Sequence, residues 1–330
     1  MNQTANATGG QAYTEVRFYA SVASFVLLAF FNLVLDSAIL TDGRLRSQAR
    51  FVLLFHLLLS GVTYFGLSGT FYLLVYSEAP VSVPGCLALL LLLMTSGSTI
   101  LVTLTMMALD RFLAICHPLA YDAFCNPRRV WACGSLAWLI SLVIPLILVS
   151  QDEQHGGSRT TTCSSSNLHS SHNKRGAFKI FLICSCTALI LYSYAKILVE
   201  GKRLGVLNRR NTRAWRTIAM HGAQLVVYIV PAFINFTLQL VAQAGCLRES
   251  ARELFEVVNF AFFSLAQCLG PVIYGLRKEE LWEVTSRRVP AIFWEVKGTL
   301  EWLAPGPEPP PGPEAEAERA TSPLETSSLA

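Results

Sequence analysis

An adjacent acid and base, Asp110 and Arg111, stand near the end of an apolar stretch long enough to cross a membrane. A charge pair there is costly unless it is paired or functional. It either fixes the orientation of the helix or acts as a switch. The sequence contains no HExxH or GxSxG motif, and its nine cysteines form no CxxC pair. We therefore expect no enzyme, no metal site and no cofactor.

The spacing between Cys86 and the charge pair indicates that they lie at opposite ends of one membrane-crossing helix. Cys86 precedes Arg111 by 25 residues, about 37 Å of helix and slightly more than the thickness of a membrane. One helix would thus place Cys86 outside, where a disulfide can form. Cys163 is the only cysteine of the long second outer loop. A disulfide between Cys86 and Cys163 would hold that loop over the bundle. Cys246, in the third outer loop, is the competing partner.

The helices that must position these residues follow from composition. Charged residues make up 15% of the 330 residues and hydrophobic residues 52%, whereas soluble domains average about a quarter charged. Seven stretches have the roughly 20 mostly apolar residues that a bilayer requires. We therefore predict an all-α membrane protein, a bundle of seven transmembrane helices. The predicted spans are residues 17–40, 51–76, 87–112, 130–150, 177–199, 217–242 and 254–276.

The distribution of basic residues predicts the orientation of this bundle. With the N-terminus outside, nineteen Lys and Arg residues lie inside and seven outside, as expected for cytoplasmic loops. Residues 1–16 are then an extracellular tail, in which Asn2 and Asn6 begin glycosylation triplets, a common chance pattern. Asn235 begins another triplet inside the sixth span and should stay unmodified.

The chain after the seventh span is expected to lie inside the cell. Residues 277–284 read as a short interfacial amphipathic helix, which completes the membrane domain of residues 17–284. Residues 285–330 form the cytoplasmic tail. From about residue 304 the tail is rich in Pro, Gly and Glu and should be disordered.

The most specific motif of the chain is MALDRFLAICHPLAY at residues 107–121, which contains Asp110 and Arg111. This motif and its spacing from Cys86 resemble those of rhodopsin-like G-protein-coupled receptors, and of odorant receptors in particular. The sixth span and the seventh-span ending look closest to the divergent odorant-receptor-like group of fish. The resemblance covers about residues 32–284. Its other elements are Trp138, Ser193 with Tyr194, residues 213–217 (RAWRT) with His221, and residues 271–277 (PVIYGLR).

This resemblance implies roles for the inner ends of the helices. Arg111 would pair with Asp110 at rest and turn toward the G protein on activation. The hydroxyls of Tyr194 and Tyr274 could then hold the freed Arg111. Pro231 resembles the proline at which the sixth helix bends, although a static kink is an equal alternative. Pro271 belongs to the seventh-span motif.

The sequence also departs from the family pattern. Gly61 stands where many such receptors have an Asp in the second span, and Gly270 replaces the Asn before Pro271. Asn32 of the first span is kept. The buried sodium site of the family is therefore expected to be absent. His56 and His221 lie on apolar helices and are expected to be packed and hydrogen-bonded rather than ligands.

The expected ligand is a small, mostly neutral molecule. Amine receptors carry an Asp where this chain has Leu93, and residues 254–276 contain no Lys to which retinal could attach. Apolar walls with a few hydroxyls suit such a ligand, although ordinary helix packing explains each residue equally well. The candidate pocket residues are Leu93, Met94, Gly97, Ser98, Tyr228 and Phe260.

The leading hypothesis is an odorant-like receptor of the plasma membrane that activates a stimulatory, olfactory-type G protein. Its partners would be a small-molecule ligand, the G protein and membrane lipids, with no nucleic acid. An orphan receptor outside olfactory tissue is the alternative. A transporter or channel would need ionisable groups at mid-membrane, where these spans are apolar, and a membrane enzyme fits still less.

Overall fold

The computed structural model describes residues 2–150, 160–162, 172–203, 212–243, 249–277, 281, 283, 284 and 286. These residues are almost entirely helical. The elements in chain order are α1 (Asn2–Thr41), α2 (Gly43–Arg46), α3 (Ala49–Tyr76), β1 (Pro80–Ser82), α4 (Val83–Cys116), α5 (Pro118–Phe124), α6 (Pro127–Ser150), β2 (Thr160–Thr162), α7 (His172–Arg203), α8 (Thr212–Gln243) and α9 (Glu249–Arg277).

Seven of these helices, each of 24 residues or more, contain the seven predicted spans. Within the described residues, five segments are long and apolar enough to cross a membrane: Ala12–Thr41, Ala49–Tyr76, Val83–Cys116, Phe181–Arg203 and Ala251–Pro271. α8 contributes a shorter apolar run, Leu225–Asn235. The chain is therefore a helical, multi-pass membrane protein.

The polar residues before the first span also form part of a helix. α1 begins at Asn2, well ahead of the apolar residues that start the predicted span at residue 17. No proline interrupts the segment, so the helical ladder runs through it without losing an N–H donor. The predicted tail of residues 1–16 is thus helical where the structure describes it, and its location outside the cell stays a prediction.

Local signals in the sequence fix several of the other helix ends. The side chain of Asp42 accepts the backbone N–H of Arg44 at 2.8 Å, which caps α2 between α1 and α3. The hydroxyl of Ser82 caps α4 by accepting from Gly85. α5 and α6 each begin with a proline, which has no N–H to leave unsatisfied at a first helical position.

α4 is the central helix of the bundle. It contacts α3, α6 and α7, while α1 packs against α3 and α9, and α8 packs against α9. A cluster of buried apolar residues joins α3, α4, α6, α7 and α8, and includes Leu57, Leu104, Ile190 and Leu225. Large apolar side chains on the opposite faces are exposed, for example Leu33 at 74%. A bundle with an apolar exterior suits lipid rather than water.

The described residues after α9 only partly cover the predicted interfacial helix. Leu281, Glu283 and Val284 are helical, and the side chain of Leu281 is fully buried. The remaining residues between α9 and Ser286, and the tail from residue 287, lie outside the described part of the chain. The interfacial helix and the tail therefore stay predictions.

Candidate functional site

The carboxylate of Asp110 is held from two sides at the predicted inner end of α4. Nη2 of Arg111 lies 2.9 Å from Oδ2 of Asp110. No aligned hydrogen bond reaches that oxygen from the described residues, so the contact is a close ion pair. The hydroxyl of Tyr121 donates to Oδ1 at 2.8 Å. Asp110 is only 4% exposed, whereas Arg111 is partly exposed. The acid is thus buried and paired, and the base reaches the surface.

Tyr121 is the member of this group that the sequence analysis did not single out. α4 ends at Cys116, and α5 begins at Pro118, so the chain reverses and returns Tyr121 to the end of α4. Burial, and then the negative charge of Asp110, raise the pKa of Tyr121 above its usual range. The phenol therefore stays protonated and can donate. The sequence feature that could have identified Tyr121 is its position at the end of the 107–121 motif.

Tyr194, one of the two predicted inner-face tyrosines, lies between α7 and α8. A Cβ added to Gly222 of α8 would stand 3.2 Å from Cε1 of the Tyr194 ring. The glycine therefore allows the ring to lie against the α8 backbone. The ring of Phe112 contacts those of His117 and Tyr192, which links α4 to α7 beside the ion pair. The side chain of Tyr274 lies outside the described residues.

The region expected to lack a sodium site contains a glutamine amide. A Cβ on Gly61 would lie 3.4 Å from Oε1 of Gln267, so the missing side chain leaves the space that Gln267 uses. Gly61, Gln267, Gly270 and Pro271 line a small void with Tyr228 that has no room for a water molecule. Protein side chains therefore fill the space between α3 and α9 in this region.

Pro231 lies within α8 and is buried. Nδ2 of Asn259, on α9, donates to the backbone oxygen of Pro231 at 2.8 Å. This bond crosses between the two helices at the position where the sequence predicts a bend. Asn259 is 3% exposed. No sequence motif marked this asparagine, because its partner is a backbone carbonyl far away in the chain.

The six candidate pocket residues divide into two groups. Leu93, Met94, Gly97 and Ser98 are half-buried on α4, and a Cβ on Gly97 would lie 3.4 Å from the ring of Tyr64. Tyr228 is buried in the central apolar cluster. The ring of Phe260 packs against those of Phe65 and Tyr72. Gly97 and Phe260 thus contact α3, and their role in binding stays a prediction.

An ion-pair group that sequence reasoning missed joins three helices at the predicted outer end. Nη2 of Arg17 on α1 lies 3.1 Å from Oε2 of Glu256 on α9. The other oxygen of Glu256 accepts from Nε of Arg252 at 2.8 Å. The guanidinium of Arg17 also lies over the ring of Tyr72, 5.9 Å from its centroid. This group holds α1, α3 and α9 together where their ends meet.

Cys86 is buried near the start of α4 and takes part in a disulfide. Its predicted partner, Cys163, and the competitor, Cys246, both lie outside the described residues. Close by, β1 and β2 form an antiparallel pair in which Pro80 faces Thr162. This pair brings the chain just before residue 163 beside the chain that precedes α4.

His56 is packed as expected but is not hydrogen-bonded. It is 4% exposed, and neither ring nitrogen has a hydrogen-bond partner among the described residues. Its ring contacts Trp131, and a Cβ added to Gly134 would collide with it. The expectation of a satisfied histidine was therefore wrong. Among the described residues, no His, Cys, Asp and Glu side chains group as a metal site would require.

Comparisons with known proteins agree with the motifs. The model of the family 7 transmembrane receptor (rhodopsin family) matches residues 31–274. Odorant receptor 131-2 of Danio rerio is 25% identical over 193 residues, 55% of this chain and 58% of that protein. Olfactory receptor 6Y1 of Homo sapiens is 25% identical over 290 residues, 82% of this chain and 85% of that protein. Probable G-protein coupled receptor 148 of Homo sapiens is 24% identical over 217 residues, 62% of this chain and 61% of that protein.

Proposed function

The chain belongs to the rhodopsin family of seven-transmembrane receptors, which are not enzymes, and we propose that it is an odorant-like receptor that activates a stimulatory G protein. It resides in the plasma membrane with its N-terminus outside and its C-terminus inside. A small, mostly neutral molecule binds between the outer halves of the helices. The similarity to odorant and olfactory receptors supports this proposal.

The single observation that carries the proposal is the paired Asp110 carboxylate. Arg111 and Tyr121 hold it at 2.9 and 2.8 Å, at the end of α4 that the basic residues assign to the cytoplasm. Ligand binding shifts the population toward a state in which α8 moves outward and Arg111 leaves Asp110. The freed guanidinium then contacts the G protein, with Tyr194 and Tyr274 as its new partners.

A panel of odorants and metabolites, applied to cells that express the chain, tests this function through cAMP. We expect at least one compound to raise cAMP in these cells and not in cells that lack the chain. The same compound should fail with Arg111→Ala. Lys202→Ala is the matched control, because Lys202 is an exposed basic residue near the end of α7. A response that survives Arg111→Ala would contradict the role of Arg111.

The remaining proposals concern the outer face. The disulfide partner of Cys86 is Cys163 rather than Cys246, because β2 ends one residue before Cys163 and pairs with the strand that precedes α4. Asn2 and Asn6 carry glycans. Peptide mapping under non-reducing conditions tests the pairing, and a Cys86–Cys246 peptide would refute it.

An orphan receptor outside olfactory tissue is the second candidate function. The similarity to a human G-protein coupled receptor that is not named for olfaction favours it. The inner-face mechanism would be the same, so mutations at Arg111 cannot separate the two candidates. The tissue in which the chain is expressed can: abundant transcript outside sensory epithelium, with none inside it, would support the orphan receptor.

A further inference from the structure

Among the described residues, the amide of Asn259 makes one of the four hydrogen bonds that it could make. Its nitrogen faces the oxygen of Pro231 at 2.8 Å. A backbone carbonyl can only accept, so the group facing it must be the NH₂ end of the amide, and this fixes the orientation of the side chain. Oδ1 therefore points elsewhere. It is buried and has no hydrogen-bond partner among the described residues.

A buried acceptor without a partner is unfavourable, because it has given up a hydrogen bond to water. Native interiors satisfy most such groups, and each exception needs a reason. Oδ1 of Asn259 is an amide oxygen with two lone pairs. Any group that brings it a hydroxyl or an N–H gains a hydrogen bond without displacing an existing protein partner.

Asn259 is close in sequence to one candidate pocket residue, and the carbonyl that it contacts is close to another. Phe260 follows it on α9, and Tyr228 precedes Pro231 by less than one turn of α8. Towards the predicted outer end, Glu256 lies about one turn from Asn259, and both of its carboxylate oxygens already contact arginines. Between these two residues, the group with an unpartnered oxygen in the described part of α9 is therefore the neutral amide of Asn259, which suits a neutral donor.

The turn of α8 that Asn259 contacts is weakened by Pro231. Proline has no N–H, so α8 lacks one hydrogen bond of its ladder at this turn. The bond from Asn259 ties the same turn to α9. One small side chain thus contacts the turn of Pro231 with its nitrogen, and its buried oxygen has no partner among the described residues.

We propose that Asn259 recognises the ligand through Oδ1 and connects it to the Pro231 hinge. The ligand class is a small neutral molecule that carries a hydrogen-bond donor, a hydroxyl or an N–H. A ligand that draws on Oδ1 moves the amide and alters its bond to Pro231. This inference rests on the proposed function in one respect, that the ligand is a small molecule bound within the bundle.

The test compares matched donors and non-donors on the full chain in lipid nanodiscs. The probes are octanol, cyclohexanol and phenol, each with its own methyl ether, which keeps the shape and removes the donor. Binding is measured from the concentration dependence of the thermal unfolding temperature. We expect at least one alcohol or phenol to bind roughly tenfold more tightly than its ether, as the loss of one hydrogen bond to a buried group predicts.

Two variants assign that preference to the side chain. Asn259→Leu should remove the difference in affinity between each alcohol or phenol and its methyl ether. Asn235→Leu, which changes an exposed asparagine of α8, should preserve it. Equal binding of donors and ethers by the unaltered chain overturns the inference, and this comparison needs no variant to fold. A preference that persists in Asn259→Leu also overturns it.

A cAMP measurement with the same probes separates this inference from the proposed function. If both members of a pair evoke equal, Arg111-dependent cAMP, recognition by Asn259 is wrong and the proposed function stands. If the donors bind through Asn259, and neither these probes nor any compound of the odorant panel evokes cAMP through Arg111, the binding site stands and signalling through a stimulatory G protein is wrong.

Discussion

At the scale of the residue, the candidate switch depends on how many partners one buried carboxylate has. Asp110 contacts Arg111 through one oxygen and Tyr121 through the other. A buried charge is tolerated only when it is paired and hydrogen-bonded. The tyrosine therefore stabilises the acid independently of the arginine. Removing it weakens the resting arrangement without touching the residue that is proposed to reach the G protein.

Tyr121→Phe is expected to raise the ligand-free cAMP level. The change deletes one hydrogen bond to a charged group, worth about 1.5–3 kcal/mol at most, and so shifts the population toward the state in which Arg111 is free. We expect a rise of several-fold at equal surface expression. Tyr192→Phe, which alters an exposed tyrosine of α7, is the control. An unchanged basal level would show that Tyr121 does not hold the resting state.

At the scale of the element, glycines decide how closely some pairs of helices approach. Gly134 of α6 lies directly against the His56 ring of α3. Gly222 of α8 likewise lies close to the ring of Tyr194 of α7. Such contacts position α3, α6, α7 and α8 around the central helix α4. A single methyl group at these points must displace an aromatic ring or separate the helices.

Gly134→Ala is expected to destabilise the bundle by about 1–3 kcal/mol, the usual effect of overpacking. The new Cβ would collide with the imidazole of His56, at a separation that real Cβ atoms essentially never show. Thermal unfolding of the purified protein in nanodiscs measures the effect. Gly43→Ala is the control, because nothing lies within 4 Å of a Cβ there. Equal unfolding temperatures for the two variants would contradict the α3–α6 packing.

The sequence predicts the long helices well and their mutual contacts poorly. Each of the seven predicted spans lies within one long helix, and five segments of the described residues are long and apolar enough to cross a membrane. The ends moved outward where polar residues continued a helix, as at the start of α1. The contacts of Arg17 with Glu256 and of Asn259 with Pro231 join residues 239 and 28 positions apart. A single sequence carries no signal for such pairs, because any acid or carbonyl could serve.

At the scale of the whole molecule, the proposed orientation and the proposed signalling depend on each other. Arg111 can meet a G protein only if its end of α4 faces the cytoplasm. The excess of Lys and Arg on that side predicts this arrangement. The paired strands β1 and β2, and the disulfide of Cys86, then belong to the outer face, where an oxidising environment permits the bond.

Glycosylation tests the orientation directly. The double variant Asn2→Gln with Asn6→Gln should migrate faster on a gel than the unaltered chain, and glycosidase treatment should remove the difference. Asn235→Gln should have no effect, because that triplet lies within the proposed sixth span. Glycan at Asn235 would contradict the proposed sixth span. Glycan on an acceptor engineered into the C-terminal tail, with none on Asn2 or Asn6, would invert the proposed topology.

The most direct test of the account is nucleotide exchange on a purified stimulatory G protein. The chain in nanodiscs, with an activating compound from the odorant panel, should accelerate exchange. Arg111→Ala should reduce that acceleration at least tenfold, while Tyr121→Phe should raise the rate without the compound. Exchange that is unaffected by Arg111→Ala, with intact compound binding, would contradict the claim that the Asp110–Arg111 pair is the switch.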